Sequence, residues 1–162
     1  MNPSAPPTIR SGATPRAANL PLHVRLFGPV LKAMLVAGIP LGPNRLVAIP
    51  GRTSGRPRTV PIAIVKDGDR RWVWAPWGDV HWVQNLRAAG RATIAERGRT
   101  DEFTATELTE LERARFFRDI LRHYADGVPL GYWLVRIVDG VDLNHPDDIA
   151  VDRRVFELHS LD

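Results

Sequence analysis

The sequence predicts an α+β fold that is mainly β: a single small barrel of short strands, covered by two or three helices. Short apolar runs bounded by turn residues recur along the middle of the chain, and two further segments carry apolar residues at helical spacing. The chain has 162 residues, 44% of them hydrophobic, which suffices for one domain with a buried core. Residues 1–20, rich in Pro, Ala, Ser and Thr, are expected to form a flexible tail ahead of one domain over residues 21–162.

The first predicted helix follows the tail. Its apolar residues recur every three or four positions: Leu22, Leu26, Val30, Leu31, Met34 and Leu35. This pattern predicts an amphipathic helix that ends near Gly38 and is kinked or restarted at Gly28-Pro29. Two interpretations stay open. The helix packs on the core, or it touches a membrane surface or a greasy substrate over residues 22–37, with its cationic side chains at lipid headgroups.

Six later segments have the composition and spacing of strands: residues 45–50, 59–66, 70–76, 91–97, 100–107 and 154–159. Asp67-Gly68-Asp69 predicts a tight hairpin turn between the second and third strands. Between the third and fourth strands, Val80 to Ala89 has the pattern of a short helix that Gly90 ends.

A longer helix is predicted after the fifth strand. Thr109 has the position of an N-cap, and Glu112 follows three residues later as its capping-box partner. The apolar spacing carries this helix to about Ala125. Residues 139–152 are acidic and are expected to form a loop before the last strand.

Composition limits the class of protein. The formal net charge is +4, and Lys32 and Lys66 are the only lysines among 22 basic residues. Long basic runs with interleaved aromatics do not occur, so nucleic-acid binding is not expected. The absence of cysteine excludes disulfides and thiolate chemistry, and scattered histidines predict no metal site. No apolar run reaches the roughly 20 residues of a membrane span, so a cytoplasmic protein is expected, with membrane association left to the first helix.

The segment between the first two strands, residues 51–58, contains three arginines, a serine and two glycines. Arginine forks bind phosphate and carboxylate through paired charged hydrogen bonds, and glycines let backbone N–H groups approach an anion. The segment is therefore either an anion-binding turn or a hairpin loop that happens to be basic.

Aromatic side chains and a histidine follow the third strand closely. Trp72 and Trp74 share one face of that strand and are expected in the core. Trp77, in a loop, is either a wall for a ligand or a structural residue. His81 is either a proton donor or a capping or surface histidine. Because no nucleophile elbow or phosphate-binding glycine motif occurs, the set of residues suits a cofactor that brings its own chemistry.

Four motifs, in order along the chain, resemble one family. They are Gly51-Arg52-x-Ser54-Gly55-x-Pro57-Arg58-x-x-Pro61, Asp67-Gly68-Asp69, Ala75-x-x-Gly78 and Trp82-x-x-Asn85-Leu86-Arg87-Ala88. Over residues 26–106 the chain is similar to the deazaflavin-dependent nitroreductases, also called the coenzyme F(420)-dependent quinone reductases. The resemblance implies a split β-barrel, an FMN-binding-like Greek-key barrel. It also implies that the barrel binds reduced F(420) and passes a hydride to a hydrophobic acceptor: a quinone, a nitroaromatic or an activated alkene.

The resemblance also implies roles for individual residues. Cofactor binding is implied for Arg52, Ser54, Gly55, Arg56, Arg58, Pro61, Ile62, Ala75, Pro76, Trp77, Gly78, Asn85 and Arg87. The first five would hold the phosphate and glutamyl carboxylates of the coenzyme, and the next two would line the ring pocket. The following four would face the ring, partly through backbone N–H groups, and the last two would shape the site. Solvent, His81 or Tyr132 would protonate the product.

Two alternatives remain beside this interpretation. FMN is a second ring cofactor, which fits the motifs less well. Family members often have a serine where this chain has Pro76. The proline lacks both the hydroxyl and the backbone N–H group that a serine would offer to the ring. This departure favours a protein that binds a deazaflavin, a flavin or a lipid-like ligand without catalysis. The barrel type occurs as monomers and as homodimers, so both assembly states are open.

Overall fold

The computed structural model describes residues 22–39, 42–96, 98–128, 131, 135–136 and 139–161. The tail expected over residues 1–20 and the candidate proton donor Tyr132 lie outside the described residues.

Six antiparallel strands form a closed barrel in the order β1-β2-β3-β6-β5-β4. They are β1 (Asn44–Pro50), β2 (Pro57–Asp67), β3 (Arg70–Ala75), β4 (Arg91–Glu96), β5 (Arg99–Glu107) and β6 (Arg154–Ser160). β1 closes the barrel, because Val47 pairs with Val60 of β2 on one side and with Ile94 of β4 on the other. The last strand, β6, lies between β3 and β5, an order typical of Greek-key connections. The expected mainly-β barrel is confirmed.

The helical segments pack around this barrel. They are α1 (Leu22–Val36), α2 (His81–Ala89), α3 (Glu110–Arg115), α4 (Arg122–Asp126) and α5 (Pro146–Asp152), with a π-helical turn (Phe116–Leu121) joining α3 to α4. α2 places Val83 and Leu86 in the same buried cluster as the inward side chains of the strands. The barrel core therefore fixes the position of α2. As predicted, α2 ends at Gly90, whose left-handed φ of 64° lets its N–H donate to the Leu86 carbonyl.

A second core lies outside the barrel, between β3 and the helices that follow β5. Trp72 and Trp74 point to this side of β3, as predicted, whereas Val73 and Ala75 point into the barrel. The Trp72 ring lies 6.0 Å from the Phe116 ring, and the Trp74 ring lies 5.7 Å from that of Phe117, centroid to centroid. β3 thus separates two apolar clusters.

The helix predicted from Thr109 to about Ala125 is present, but its middle turn is π-helical. The predicted capping box is present at its start, where Thr109 and Glu112 exchange hydrogen bonds. The wider π turn lets Phe116 and Phe117, which are adjacent in sequence, both be buried against the two tryptophans.

One local prediction was wrong, and another was wrong in part. The acidic stretch over residues 139–152 is a loop only in its first part, because α5 begins at Pro146, with proline and aspartates in a first turn that favours both. The helix does not restart at Gly28-Pro29, because α1 runs without interruption from Leu22 to Val36, and the alternative of a kink there stays a prediction. Pro29 is exposed, so water can satisfy the helical carbonyl that loses its N–H partner there.

Candidate functional site

The loop between β1 and β2 is a compact turn held by its own backbone. The Gly51 N–H donates to the Arg56 carbonyl at 3.0 Å, and the Gly55 N–H donates to the Gly51 carbonyl at 2.7 Å. The Ser54 hydroxyl accepts from the Arg56 N–H at 3.3 Å. Gly55 has a φ of +68°, and a Cβ on Gly51 would lie 3.2 Å from the Ser54 oxygen. The positive φ favours glycine at position 55, and a side chain at position 51 would force the Ser54 hydroxyl to shift by a few tenths of an ångström.

Asn85 joins this loop to α2. Its side chain is only 5% exposed, and its Oδ1 accepts from the Arg52 backbone N–H at 3.2 Å and from the Arg52 guanidinium at 2.9 Å. Arg52 is thus turned back onto the protein. Arg56 and Arg58 are exposed, and within the described part of the chain neither guanidinium has an ion-pair partner. Because Asn85 is neutral, Arg52 keeps its charge as well, so all three arginines contribute to the positive charge of the loop, and Arg56 and Arg58 are the two that project freely.

A cleft of about 480 Å³ opens beside this loop, between α1, β1, β2 and α2. Its described lining residues are Lys32, Ile49, Pro57, Arg58, Thr59, Val60, His81, Trp82 and Asn85. The ionisable members of this set are basic, and it contains no carboxylate. The charged groups of the described lining are therefore basic, and Ile49, Val60 and Trp82 add apolar surface to the same cleft.

Arg87 holds α2 in place from another side. Its guanidinium binds both oxygens of Glu107 on β5, at 2.6 and 2.8 Å, and Asp79 at 2.9 Å. The hydrogen bond to Glu107, with that to Asp79, raises the pKa of Arg87 above its usual range. Two carboxylates already neutralise this side chain, so it anchors the helix that carries His81 and Asn85.

The other expected contact residues lie outside the wall of the cleft. Ile62 and Ala75 are buried in the barrel interior, and Pro61 pairs with Leu46 of β1. Trp77 packs against the same interior cluster. The Gly78 N–H donates to the Ala75 carbonyl at 3.3 Å, which commits one of the backbone donors expected to face the ring.

Of the sequence-predicted site residues, the structure brings Arg58, His81 and Asn85 to one cleft and joins Arg52 to Asn85. Lys32 and Thr59 also line the cleft, although they were not among the predicted site residues. For Thr59 a signal existed, because it adjoins Arg58 at the start of β2. For Lys32 the signal was its position beside apolar residues of α1, which was interpreted only as a membrane contact.

Within the described residues, no three His, Asp or Glu side chains lie close enough together to hold a metal ion. A second cavity, of about 310 Å³, lies between α5 and the segment before it. None of the described helices is long and apolar enough to cross a membrane.

The sequence profile of the F(420)H(2)-dependent quinone reductase family matches residues 30–128. The chain belongs to this family. The matched region contains every described residue that lines the 480 Å³ cleft, together with the arginine-rich loop. As a member of this family, the chain is an oxidoreductase whose coenzyme is reduced F(420).

Solved structures share the fold at low sequence identity. A protein of Bacteroides thetaiotaomicron, described as a candidate 5-nitroimidazole antibiotic resistance protein, is 11% identical, with a TM-score of 0.51 over 83% of this chain and 80% of its own. A protein described as a domain-swapped dimer is 17% identical, with a TM-score of 0.50 over 81% and 95%. An F(420)-H(2)-dependent reductase (FDR-A) is 20% identical, with a TM-score of 0.45 over 72% and 94%. The first two show the same barrel fold.

Proposed function

We propose that this member of the family binds reduced F(420) in the cleft between α1 and α2 and transfers its hydride to a hydrophobic acceptor. The acceptor would be a quinone, a nitroaromatic or an activated alkene. The observation that carries the proposal is the position of the cleft. An arginine-rich turn, whose Arg56 and Arg58 have no ion-pair partner among the described residues, adjoins apolar side chains, and none of the described lining residues is a carboxylate.

The residues present fit a coenzyme that combines a flat ring with an anionic arm. Arg56 and Arg58 offer guanidinium forks to phosphate and carboxylate, each charged hydrogen bond being worth about 1.5–3 kcal/mol where water is partly excluded. The Asn85 hydrogen bonds keep Arg52 folded back, so the turn presents the other two arginines outward. A ring would lie on Trp82, which the barrel residue Phe156 supports at 6.4 Å between ring centroids.

When bound, the reduced deazaflavin supplies the hydride. The protein's contribution is to hold ring and acceptor together and to exclude water with Ile49, Val60 and Trp82. His81 is exposed at the first turn of α2 and lines the same cleft, so it can pass a proton from solvent to the product. The roles of Tyr132 and of the ring contacts at Pro61, Ile62 and residues 75–78 stay predictions.

The exposed side of α1 suggests where a lipophilic acceptor comes from. Leu22, Leu26 and Val30, four residues apart, form a stripe that is 55–69% exposed. Residues 22–39 contain basic but no acidic side chains. We therefore propose that α1 rests on an anionic membrane surface, from which a quinone can reach the cleft. Sedimentation with vesicles tests this proposal. We expect the protein to bind anionic but not zwitterionic vesicles, and a protein that binds neither kind of vesicle would overturn the proposal.

Stopped-flow oxidation of reduced F(420) tests the catalytic proposal. Mixing the loaded protein with menadione or a nitroaromatic should give turnover that depends on acceptor concentration. Binding of the coenzyme without oxidation by any of these acceptors would refute the proposed acceptors. A parallel fluorescence titration with F(420) and FMN checks the choice of ring, since the cationic turn should favour the longer, more anionic coenzyme.

A further inference from the structure

We infer that Lys32 of α1 is part of the anion-binding site for the coenzyme arm, so that the arm ties α1 to the barrel. This inference rests on the proposed function. Lys32 lines the same cleft as Arg58 and Asn85, although it lies 19 residues before Gly51, where the arginine-rich turn begins, and in a different element. The cleft therefore takes its cations from two elements, α1 and the start of β2.

The geometry of α1 directs Lys32 to the barrel side. Gly28, Leu31 and Leu35 are half-buried where α1 packs on β1 and β2, and Lys32 lies one turn from both Gly28 and Leu35. The exposed stripe of leucines and valine lies on the opposite side of the helix. Lys32 itself remains solvent-accessible, so its ammonium keeps its hydration and can reach an anion through a flexible stem.

The charges around the cleft favour an anion between Lys32 and Arg58. Two cations on one cleft repel each other, and no described lining residue carries a compensating carboxylate. Nearby carboxylates are already paired: Asp79 and Glu107 bind Arg87. A phosphate or glutamyl carboxylate is therefore the ligand chemistry that both cations share.

Because α1 is only weakly attached to the barrel, a contact between Lys32 and the coenzyme arm would matter for how firmly this helix is held. Several of its large apolar residues are exposed, including Phe27 at 69%, so α1 buries little apolar surface on the barrel. An ionic contact through the coenzyme arm would add to this weak docking. We expect the backbone amides of α1 to exchange more slowly with solvent deuterium when F(420) is bound.

The test compares two ligands, F(420) and the same deazaflavin with its ribityl chain but without phosphate or glutamyl groups. Lys32→Gln should weaken F(420) binding by about five- to tenfold and leave binding of the short ligand unchanged. Lys32→Arg should restore the affinity. Arg25→Gln is the matched control, because Arg25 lies two turns earlier on the same side of α1 but outside the cleft. Ligand fluorescence gives the affinities without turnover.

Two results overturn the inference: Lys32→Gln binds F(420) as tightly as the wild type, or it weakens both ligands equally. Failure of the proposed function has a different signature. In that case the wild type binds F(420) no better than the short ligand, or Arg58→Glu leaves F(420) affinity unchanged. F(420) binding that depends on Arg58 but not on Lys32 removes only the inference.

Discussion

Replacement of Asn85 tests how the arginine-rich turn is held. Asn85→Ala removes the acceptor of two hydrogen bonds from Arg52, one from the backbone N–H and one from the charged guanidinium. A neutral bond contributes about 1 kcal/mol and a charged one about 1.5–3 kcal/mol. Because the site is 5% exposed, water compensates little of this loss. We expect the free energy of unfolding to fall by about 2.5–4 kcal/mol, measured by urea denaturation.

Asn85→Asp is the matched variant, because a carboxylate can accept the same two bonds. Its free energy of unfolding should stay within about 1 kcal/mol of the wild type, since the Arg52 guanidinium gains a charged partner. Its coenzyme affinity should nevertheless fall at least tenfold. Asn85 lines the cleft, so the new carboxylate would repel an anionic arm bound there, and a repulsion of about 1.4 kcal/mol suffices for a tenfold loss of affinity.

The two variants therefore separate stability from binding. The reasoning is refuted if Asn85→Ala unfolds with less than about 0.5 kcal/mol of destabilisation, because the buried bonds would then not hold the turn. It is also refuted if Asn85→Asp binds F(420) as tightly as the wild type at low salt. Raising the salt concentration should narrow the difference in affinity between Asn85→Asp and the wild type.

Three further changes have expected outcomes. Arg58→Glu should weaken F(420) binding at least tenfold and flatten its salt dependence in a fluorescence titration. Arg113→Met should lower the free energy of unfolding by about 2–4 kcal/mol in urea denaturation, because the buried guanidinium donates to the Ala150 carbonyl at 2.7 Å. Burial raises the pKa of Asp139 from 3.8 to about 6, so its contribution favours folding below about pH 4 and is lost as the pH rises through 6. Asp139→Asn should therefore stabilise the protein by about 1–2 kcal/mol at pH 8 and leave it unchanged near pH 4, as thermal unfolding at both values would show.

The strands and α2 could be predicted because local signals suffice for them. Period-two alternation places Trp72 and Trp74 on one side of β3, and Gly90, which has no Cβ, readily takes the left-handed φ at the end of α2. The capping box at Thr109 likewise involves two residues only three positions apart in the sequence. Such features need no knowledge of distant contacts.

The remaining features depend on packing or on competing local cues. The π turn at Phe116 exists because two tryptophans of β3 accept consecutive phenylalanines, a contact across more than forty residues. α5 was predicted to be a loop because its sequence is acidic, although Pro146 and the following aspartates are favourable at a helix start. For the site, the motif identified the arginines, but only the folded chain brings Lys32 to them.

The division of the apolar interior by β3 has a consequence for how such a protein can change. The cleft and its arginine-rich turn are supported by the barrel interior, whereas α3, α4 and α5 are held by the separate cluster on the outer side of Trp72 and Trp74. A substitution in the barrel interior and a substitution in the outer cluster share few neighbouring residues. Their effects on the free energy of unfolding should therefore be additive. The outer helices can therefore diversify in sequence while the part of the molecule that receives the coenzyme keeps its shape.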